Sequence, residues 1–151
     1  MATSTRLALG HIGLNVTDLA RSTRFYRAAL GLDLVGESTA PGREYAFLAQ
    51  DGRLLLTLWR QSGGTAPTDR PGLHHLAVQM ESIEQVREAE ERLKALAAVI
   101  HHGGIVPHRE GGDSGGLFFE DPDGIRLEIY APTGAGDRPA PHGDAPTCGF
   151  V

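Results

Sequence analysis

His11-Ile12-Gly13-Leu14-Asn15-Val16 and His75-Leu76-Ala77-Val78-Gln79-Met80 follow one pattern, 64 residues apart. Each opens on a histidine and then alternates apolar with small or polar side chains, the period of a strand with one buried face. The next landmark keeps step. Asp18 and Ser82 are N-cap residue types, and Leu19 and Ile83 behind them open helix-like stretches, again 64 apart. Self-similarity at a fixed offset predicts two copies of one structural unit.

Working outward, residues 7–16 read as a strand and 19–30 as a helix stopped by Gly31. Strand patterns follow near 33–38, 44–49 and 53–60, with Asp51-Gly52 as the hairpin turn between the last two. The second half repeats the order. A strand is expected over 74–80, then a helix to about residue 98, opened by a capping box of Ser82 and Gln85. Its apolar stripe is Ile83, Val86, Leu93 and Leu96. Strands follow near 104–109, 115–120 and 125–130, with Asp123-Gly124 as the last hairpin turn. The prediction is an α+β fold of two βαβββ modules, 7–61 and 73–132, in one domain covering 1–132. Residues 133–151 have the Gly/Pro-rich composition of an irregular tail. The tail ends in Cys148-Gly149-Phe150-Val151, which is more apolar than a solvated tail requires.

Alternation divides each strand into two faces. Ile12, Leu14 and Val16 share one face, and His11, Gly13 and Asn15 the other. Leu76, Val78 and Met80 lie with His74, whereas His75, Ala77 and Gln79 lie opposite. In the last strand Ile125, Leu127 and Ile129 are apolar, set against Arg126, Glu128 and Tyr130. In the fourth, Leu54, Leu56 and Leu58 oppose Leu55, Thr57 and Trp59. With the apolar faces packed on helices, the opposite faces line a concave surface carrying His11, His75 and Glu128. Aligning Leu56-Thr57-Leu58-Trp59 with Leu127-Glu128-Ile129-Tyr130 sets Thr57 opposite Glu128, an offset of 71.

Two imidazoles and one carboxylate on one side of a divalent ion leave positions open for water or substrate. That donor set suits non-haem Fe(II), and also Mn, Zn, Co or Ni. Neutral imidazole and carboxylate are already in ligand form near neutral pH. Taken singly, a strand histidine is more often structural, and a glutamate near the last strand is commonly a solvated residue. The three in register across a repeat favour a metal site. Trp59, Tyr45 and Phe47 are either substrate-facing aromatics or ordinary core.

Composition narrows the function classes. Apolar residues make up 40 % and charged residues 22 % of the 151, as in a globular domain. A net charge of −5 gives no basic footprint for nucleic acid. No apolar run approaches the roughly 18 residues of a membrane helix. The N-terminus leads directly into a strand pattern rather than a signal peptide, and the single Cys148 cannot form an internal disulfide. A cytoplasmic protein is expected.

Over residues 7–132 the chain resembles the vicinal oxygen chelate superfamily, the glyoxalase / bleomycin-resistance / extradiol dioxygenase group. The carriers are His11-Ile-Gly-Leu-Asn-Val, the run from Asp18 through Leu-Ala-Arg-Ser-Thr-Arg-Phe-Tyr-Arg-Ala-Ala-Leu-Gly to Leu32, and Glu120-Asp-Pro-Asp-Gly-Ile-Arg-Leu-Glu-Ile129. The resemblance implies paired βαβββ modules forming a cup around a metal, with ligands from the first, fourth, fifth and eighth strands. Those positions hold His11, Thr57, His75 and Glu128 here. Glyoxalase I and methylmalonyl-CoA epimerase carry Glu or Gln in the fourth strand, and Thr57 departs from them. Extradiol dioxygenases and fosfomycin-modifying thiol transferases use a His, His, Glu set. His108, Leu117, Phe118, Asp121, Pro122, Gly124 and Glu128 nearly fit the dioxygenase signature. Phe118 stands where that signature has a tyrosine, and a phenyl ring cannot bond substrate as a phenol does.

The leading expectation is a metal-dependent enzyme of the non-haem Fe(II) dioxygenase type, acting on a small aromatic or vicinally oxygenated compound. His11, His75 and Glu128 would bind the metal, and His108 would be the candidate acid/base. Tyr130, His101 and His102 are weaker candidates for proton transfer or support. Thr57, Trp59, Tyr45, Phe47, Asn15 and Phe118 would line the substrate site. The alternatives are a natural-product-binding protein like the bleomycin-resistance proteins, which sequester a drug without chemistry, and a glyoxalase-type lyase or isomerase or a thiol transferase. The resemblance also implies a homodimer.

Overall fold

The computed structural model describes residues 5–143 and 145–150. Residues 1–4, Asp144 and Val151, which belong to the expected N-terminal lead and C-terminal tail, lie outside the described residues. The elements run β1 (Ile12–Asn15), α1 (Leu19–Leu30), β2 (Asp33–Ser38), β3 (Tyr45–Gln50), β4 (Arg53–Trp59), β5 (Leu76–Gln79), α2 (Ile83–Ala95), β6 (Val106–Pro107), β7 (Gly115–Glu120) and β8 (Arg126–Ala131). The βαβββ order of both halves and the α+β class are as the sequence implies. Each half builds its own four-stranded mixed sheet, ordered β1-β4-β3-β2 and β5-β8-β7-β6.

Two compact units result. The first covers the described residues through Arg27 and resumes over Gly31–Gly63. The second takes Ala28–Leu30 and everything from Gly64 onward.

In the first unit, α1 starts and stops where local chemistry dictates. Asp18 Oδ1 accepts the Arg21 N–H at 3.0 Å, and Gly31, at φ 67°, donates its N–H to Arg27 O. Leu19, Phe25, Tyr26 and Ala29 form the buried stripe of the helix. β1 pairs in parallel with β4, Ile12 with Leu56 and Gly13 with Thr57. The Asp51-Gly52 turn between β3 and β4 has both residues at positive φ, 50° and 77°, as a tight hairpin with matching twist requires.

β1 is shorter than the 7–16 alternation suggests. Leu7 and Leu9 are exposed, and the parallel ladder with β4 begins only at Ile12. The Arg53 guanidinium instead donates to Leu9 O at 3.0 Å.

In the second unit the β5–β8 register duplicates β1–β4, with Leu76 opposite Leu127 and Ala77 opposite Glu128. Thr57 and Glu128 therefore occupy equivalent rungs. β7 pairs with β8 so closely that a Cβ on Gly116 would lie 2.0 Å from Ile129 O. Helix α2 packs on β7 and β8. Ser82 Oγ accepts the Gln85 N–H at 3.3 Å, while Gln85 Oε1 reaches back to the Glu81 N–H rather than to Ser82.

Three expectations are corrected here. α2 ends at Ala95, and Ala97 at φ 53° turns the chain, so Leu96 leaves the stripe at 39 % exposure; Ala89 completes it. The 104–109 strand shrinks to Val106–Pro107, with Gly103 and Gly104 at positive φ before it. His75 and His74 precede β5 rather than lying within it.

The tail packs back onto the second unit. Ala135, Thr147 and Phe150 are buried. Thr147 Oγ1 donates to Pro107 O at 2.7 Å, and its backbone N–H donates to His108 O at 3.0 Å. The Ala140 N–H reaches Glu110 Oε2 at 2.8 Å.

Candidate functional site

The chemistry-bearing face of the second unit is the one that carries Glu128. Period-two alternation sets Arg126, Glu128 and Tyr130 on it, and the β7 partners Glu120, Phe118 and Gly116 stand beside them. Glu128 is only 3 % exposed. A carboxylate there is tolerable only with polar partners, and two imidazoles supply them. His108 Nε2 hydrogen-bonds Glu128 Oε1, and His75 Nε2 lies 3.5 Å from Glu128 Oε2. His108 Nδ1 lies 2.7 Å from Ser114 Oγ. One neutral tautomer satisfies both contacts: Nε2–H donates to the carboxylate and Nδ1 accepts the Ser114 hydroxyl proton.

His75 is held from its other nitrogen. His74 Nδ1 and His75 Nδ1 are 2.8 Å apart, so one donates to the other, leaving His75 Nε2 for the Glu128 side. Burial lowers the pKa of His75. Glu128 opposes that shift, and His74 and Arg126 add to it. The net effect keeps the ring neutral, the form a metal requires.

Of the three expected ligands, the second unit brings His75 and Glu128 together. His11 belongs to the first unit, exposed and one residue before β1, at the register place that His75 holds before β5. Among the described residues no group of three His, Cys, Asp or Glu side chains is preassembled around one point. The His75–Glu128 pair nonetheless fits an ion. Its 3.5 Å separation suits two neighbouring donors on one cation, whose bonds run about 2.0–2.2 Å each.

The remaining expected residues fall into two groups. Tyr130 stacks edge-on to His108, ring centres 5.1 Å apart, and its hydroxyl donates to Gln79. His101 Nε2 lies 3.2 Å from Glu120 Oε2. His102, at φ 57°, has its pKa lowered by burial, with His101 and His142 adding to the shift. Phe118 is wholly buried, its ring edge-on to those of Phe150 and His102 at 5.4 and 5.7 Å.

In the first unit Tyr45, Phe47 and Trp59 cluster on one face of the sheet, ring centres 4.7 to 6.0 Å apart. Thr57, buried on the same face, accepts the Trp59 indole N–H at 3.0 Å. Asn15 is committed locally, its Oδ1 accepting the Gln61 N–H.

Sequence reasoning missed three participants. His74 was assigned to the opposite face by parity, but alternation does not govern residues outside the ladder. Ser114 carried no signal beyond lying six residues from His108 across a turn. Phe150 was visible only as an apolar end on a polar tail.

The profile of the Glyoxalase/Bleomycin resistance protein/Dioxygenase superfamily matches residues 8–129, and the chain belongs to that superfamily. It is 29 % identical to a catechol-2,3-dioxygenase of Bacillus subtilis over 87 % of its own length, but spans only 42 % of that protein. It is 30 % identical to a lactoylglutathione lyase of Salmonella typhimurium, covering 86 % of this chain and 96 % of the lyase. Among solved structures, a glyoxylase/bleomycin resistance protein/dioxygenase domain from Frankia sp. EAN1pec superposes with a TM-score of 0.69 at 27 % identity, covering 84 % of this chain and 98 % of that one. A mutant of the fosfomycin resistance protein FosX from Listeria monocytogenes, complexed with Mn(II) and 1S,2S-dihydroxypropylphosphonic acid, gives 0.65 at 26 %, covering 85 % and 95 %. Among the described residues, no helix is long and apolar enough to cross a membrane.

Proposed function

We propose that this protein is a metal-dependent enzyme of the non-haem Fe(II) dioxygenase type, acting on a small aromatic or vicinally oxygenated compound, and that it works as a cytoplasmic homodimer. The observation that carries the reading is the buried Glu128 carboxylate, set between His75 and His108 with His75 kept neutral. His75 Nε2 and Glu128 supply two ligands. His11, at the equivalent register place of the first unit, is the third of the proposed set. Fe(II) is favoured, and Mn, Zn, Co or Ni suit the same donors. The bound ion would supply Lewis acidity and a place for dioxygen beside the substrate oxygens.

The chain's own residues do the rest. His74 fixes the His75 ring from Nδ1. His108 orients Glu128 from Oε1 and is the group placed to hold or pass a proton there, with Ser114 as its partner on Nδ1. Thr57, a neutral hydroxyl that accepts the Trp59 indole N–H, is left out of the proposed ligand set. The likeness to a catechol-2,3-dioxygenase supports an aromatic diol as substrate class. A second reading, sequestration of a natural product, draws on the Tyr45–Phe47–Trp59 platform, which can bind a flat ligand without chemistry.

The test is metal content after anaerobic purification, in wild type and Glu128→Ala. One ion per chain is expected in the wild type and strong loss in the variant, together with catechol-dependent oxygen uptake by the wild type. Equal metal content in both proteins refutes the ligand set. Ligand binding that survives EDTA, with the ligand recovered unaltered, selects sequestration instead.

A further inference from the structure

Phe150 occupies an unusual position for a core residue. It is 9 % exposed, yet much of what surrounds its ring is polar. The His75 ring lies 5.5 Å from it, tilted by 43°, and the His101 ring lies 5.3 Å away, nearly edge-on at 77°. His74 is 6.2 Å away, and the Arg126 guanidinium sits over the ring at 5.3 Å. Phe118 forms the floor, ring centres 5.4 Å apart at 82°. Imidazole edges, a guanidinium on the face and an aromatic floor are the means by which proteins hold an aryl ligand. They are costlier than aliphatic side chains as ordinary packing for a terminal phenylalanine.

The way the ring is delivered separates anchor from tip. Thr147 is pinned to Pro107 of β6 by its hydroxyl and to His108 by its backbone N–H. Only Cys148 and Gly149 separate that anchor from Phe150, and Phe150 itself sits at φ 59°, a conformation a non-glycine residue adopts at a cost. Lifting the ring by rotation about Gly149 breaks one bond, from the Phe150 N–H to Thr147 O at 3.2 Å, and leaves the Thr147 side-chain anchor in place.

We propose that the space filled by Phe150 is an aryl-binding subsite beside His75, and that Phe150 is a built-in occupant displaced by a monocyclic aromatic ligand. The subsite extends the reading of the His75–Glu128 face as a ligand site and rests on it for its biological meaning. It does not need a metal to be tested. The recognised class is a single uncharged ring or a phenol, with the ring against His75 and His101 and its face under Arg126.

The experiment titrates phenol into metal-free wild type, Phe150→Ala and Phe150→Leu, followed by NMR of the histidine ring and arginine side-chain signals. If the lifted state is populated at about one part in ten, removing the ring tightens phenol binding by about tenfold. Phe150→Ala is therefore expected to bind phenol about tenfold tighter than wild type, with shifts at His75, His101 and Arg126. Phe150→Leu keeps apolar volume at the site, guards against loss of fold, and should fall between the two. Unchanged or weaker phenol affinity in both variants overturns the proposal and makes Phe150 a fixed wall. Mn(II) is titrated in parallel. Its failure to perturb His75 and Glu128 in wild type would count against the metal reading alone, leaving the phenol result to decide the subsite.

Discussion

Thr147→Val isolates the attachment of the C-terminal tail. The substitution keeps the β-branched shape and removes one hydroxyl, whose hydrogen bond to Pro107 O is 2.7 Å long and fully buried. A typical intramolecular hydrogen bond contributes about 0.5–1.5 kcal/mol net, and a buried carbonyl left without its partner raises the cost to about 1–3 kcal/mol. For a chain of this size, each kcal/mol moves the melting midpoint by about 2–4 °C, so a fall of several degrees is expected. The backbone bond from Thr147 N–H to His108 O is untouched, so the change reads the hydroxyl alone.

The assay is urea unfolding with thermal melting, using the exposed Thr68→Val as control. A surface change of that kind stays within about 0.5 kcal/mol. The urea midpoint of Thr147→Val should fall with the slope unchanged, showing lost stability rather than an altered unfolded state. If the two units unfold in separate steps, only the transition of the second should move. Equal midpoints for Thr147→Val and Thr68→Val would show that the tail is not docked in solution, and the Phe150 reasoning would fall with it.

Two further outcomes are expected. Gly116→Ala should abolish the folded second unit, seen as loss of near-UV circular dichroism or of soluble protein, because its Cβ meets the Ile129 and Tyr130 backbone at 2.0 and 2.5 Å; Gly10→Ala, with nothing within 4 Å, should be neutral, and a normally stable Gly116→Ala would contradict the β7–β8 register. The folded state lowers the pKa of both His75 and His102, so below about pH 6.5 the unfolded chain binds more protons and stability falls on acidification, while above that pH these groups contribute no slope. The urea midpoint should therefore drop from pH 7 to pH 5.5, less steeply in His102→Asn, which tolerates the left-handed backbone at φ 57°; a midpoint that rises on acidification in both proteins would refute the sign.

What the sequence disclosed was whatever local rules control. Asp18 and Gly31 bracket α1 at its observed ends, because capping bonds form between residues three or four apart. The offsets of 64 and 71 reproduce the observed rungs, since Ile12 and Leu76, and Leu56 and Leu127, hold the same places in their ladders. The missed features depend on contacts that no local pattern encodes. His74 escaped because face parity was applied to a residue outside β5. β6 shrank because Gly103 and Gly104 take positive φ and break the extended chain before it, which an apolar run does not reveal. Phe150 lies 44 residues from its core partner Val106 and meets it only after the tail has docked.

The equivalent rungs of the two sheets carry the strongest argument about where chemistry resides. Thr57 and Glu128 are both buried, both 3 % exposed, and both sit opposite a small residue, Gly13 or Ala77. Threonine at that place needs one partner and has it in the Trp59 indole N–H. A carboxylate there is a far more expensive choice, since an ionised group removed from water costs several kcal/mol unless its oxygens are engaged. A scaffold indifferent to function would fill both rungs with the inexpensive residue. The second unit instead retains the carboxylate and supports it with His108 on one oxygen and His75 near the other, with Ser114 and His74 behind those rings. The four supporting residues come from three separate stretches of chain, all outside the β5 and β8 ladders. The asymmetry is the ground on which Glu128 is proposed as the residue around which the site is built, with the first unit's aromatic face proposed as binding surface.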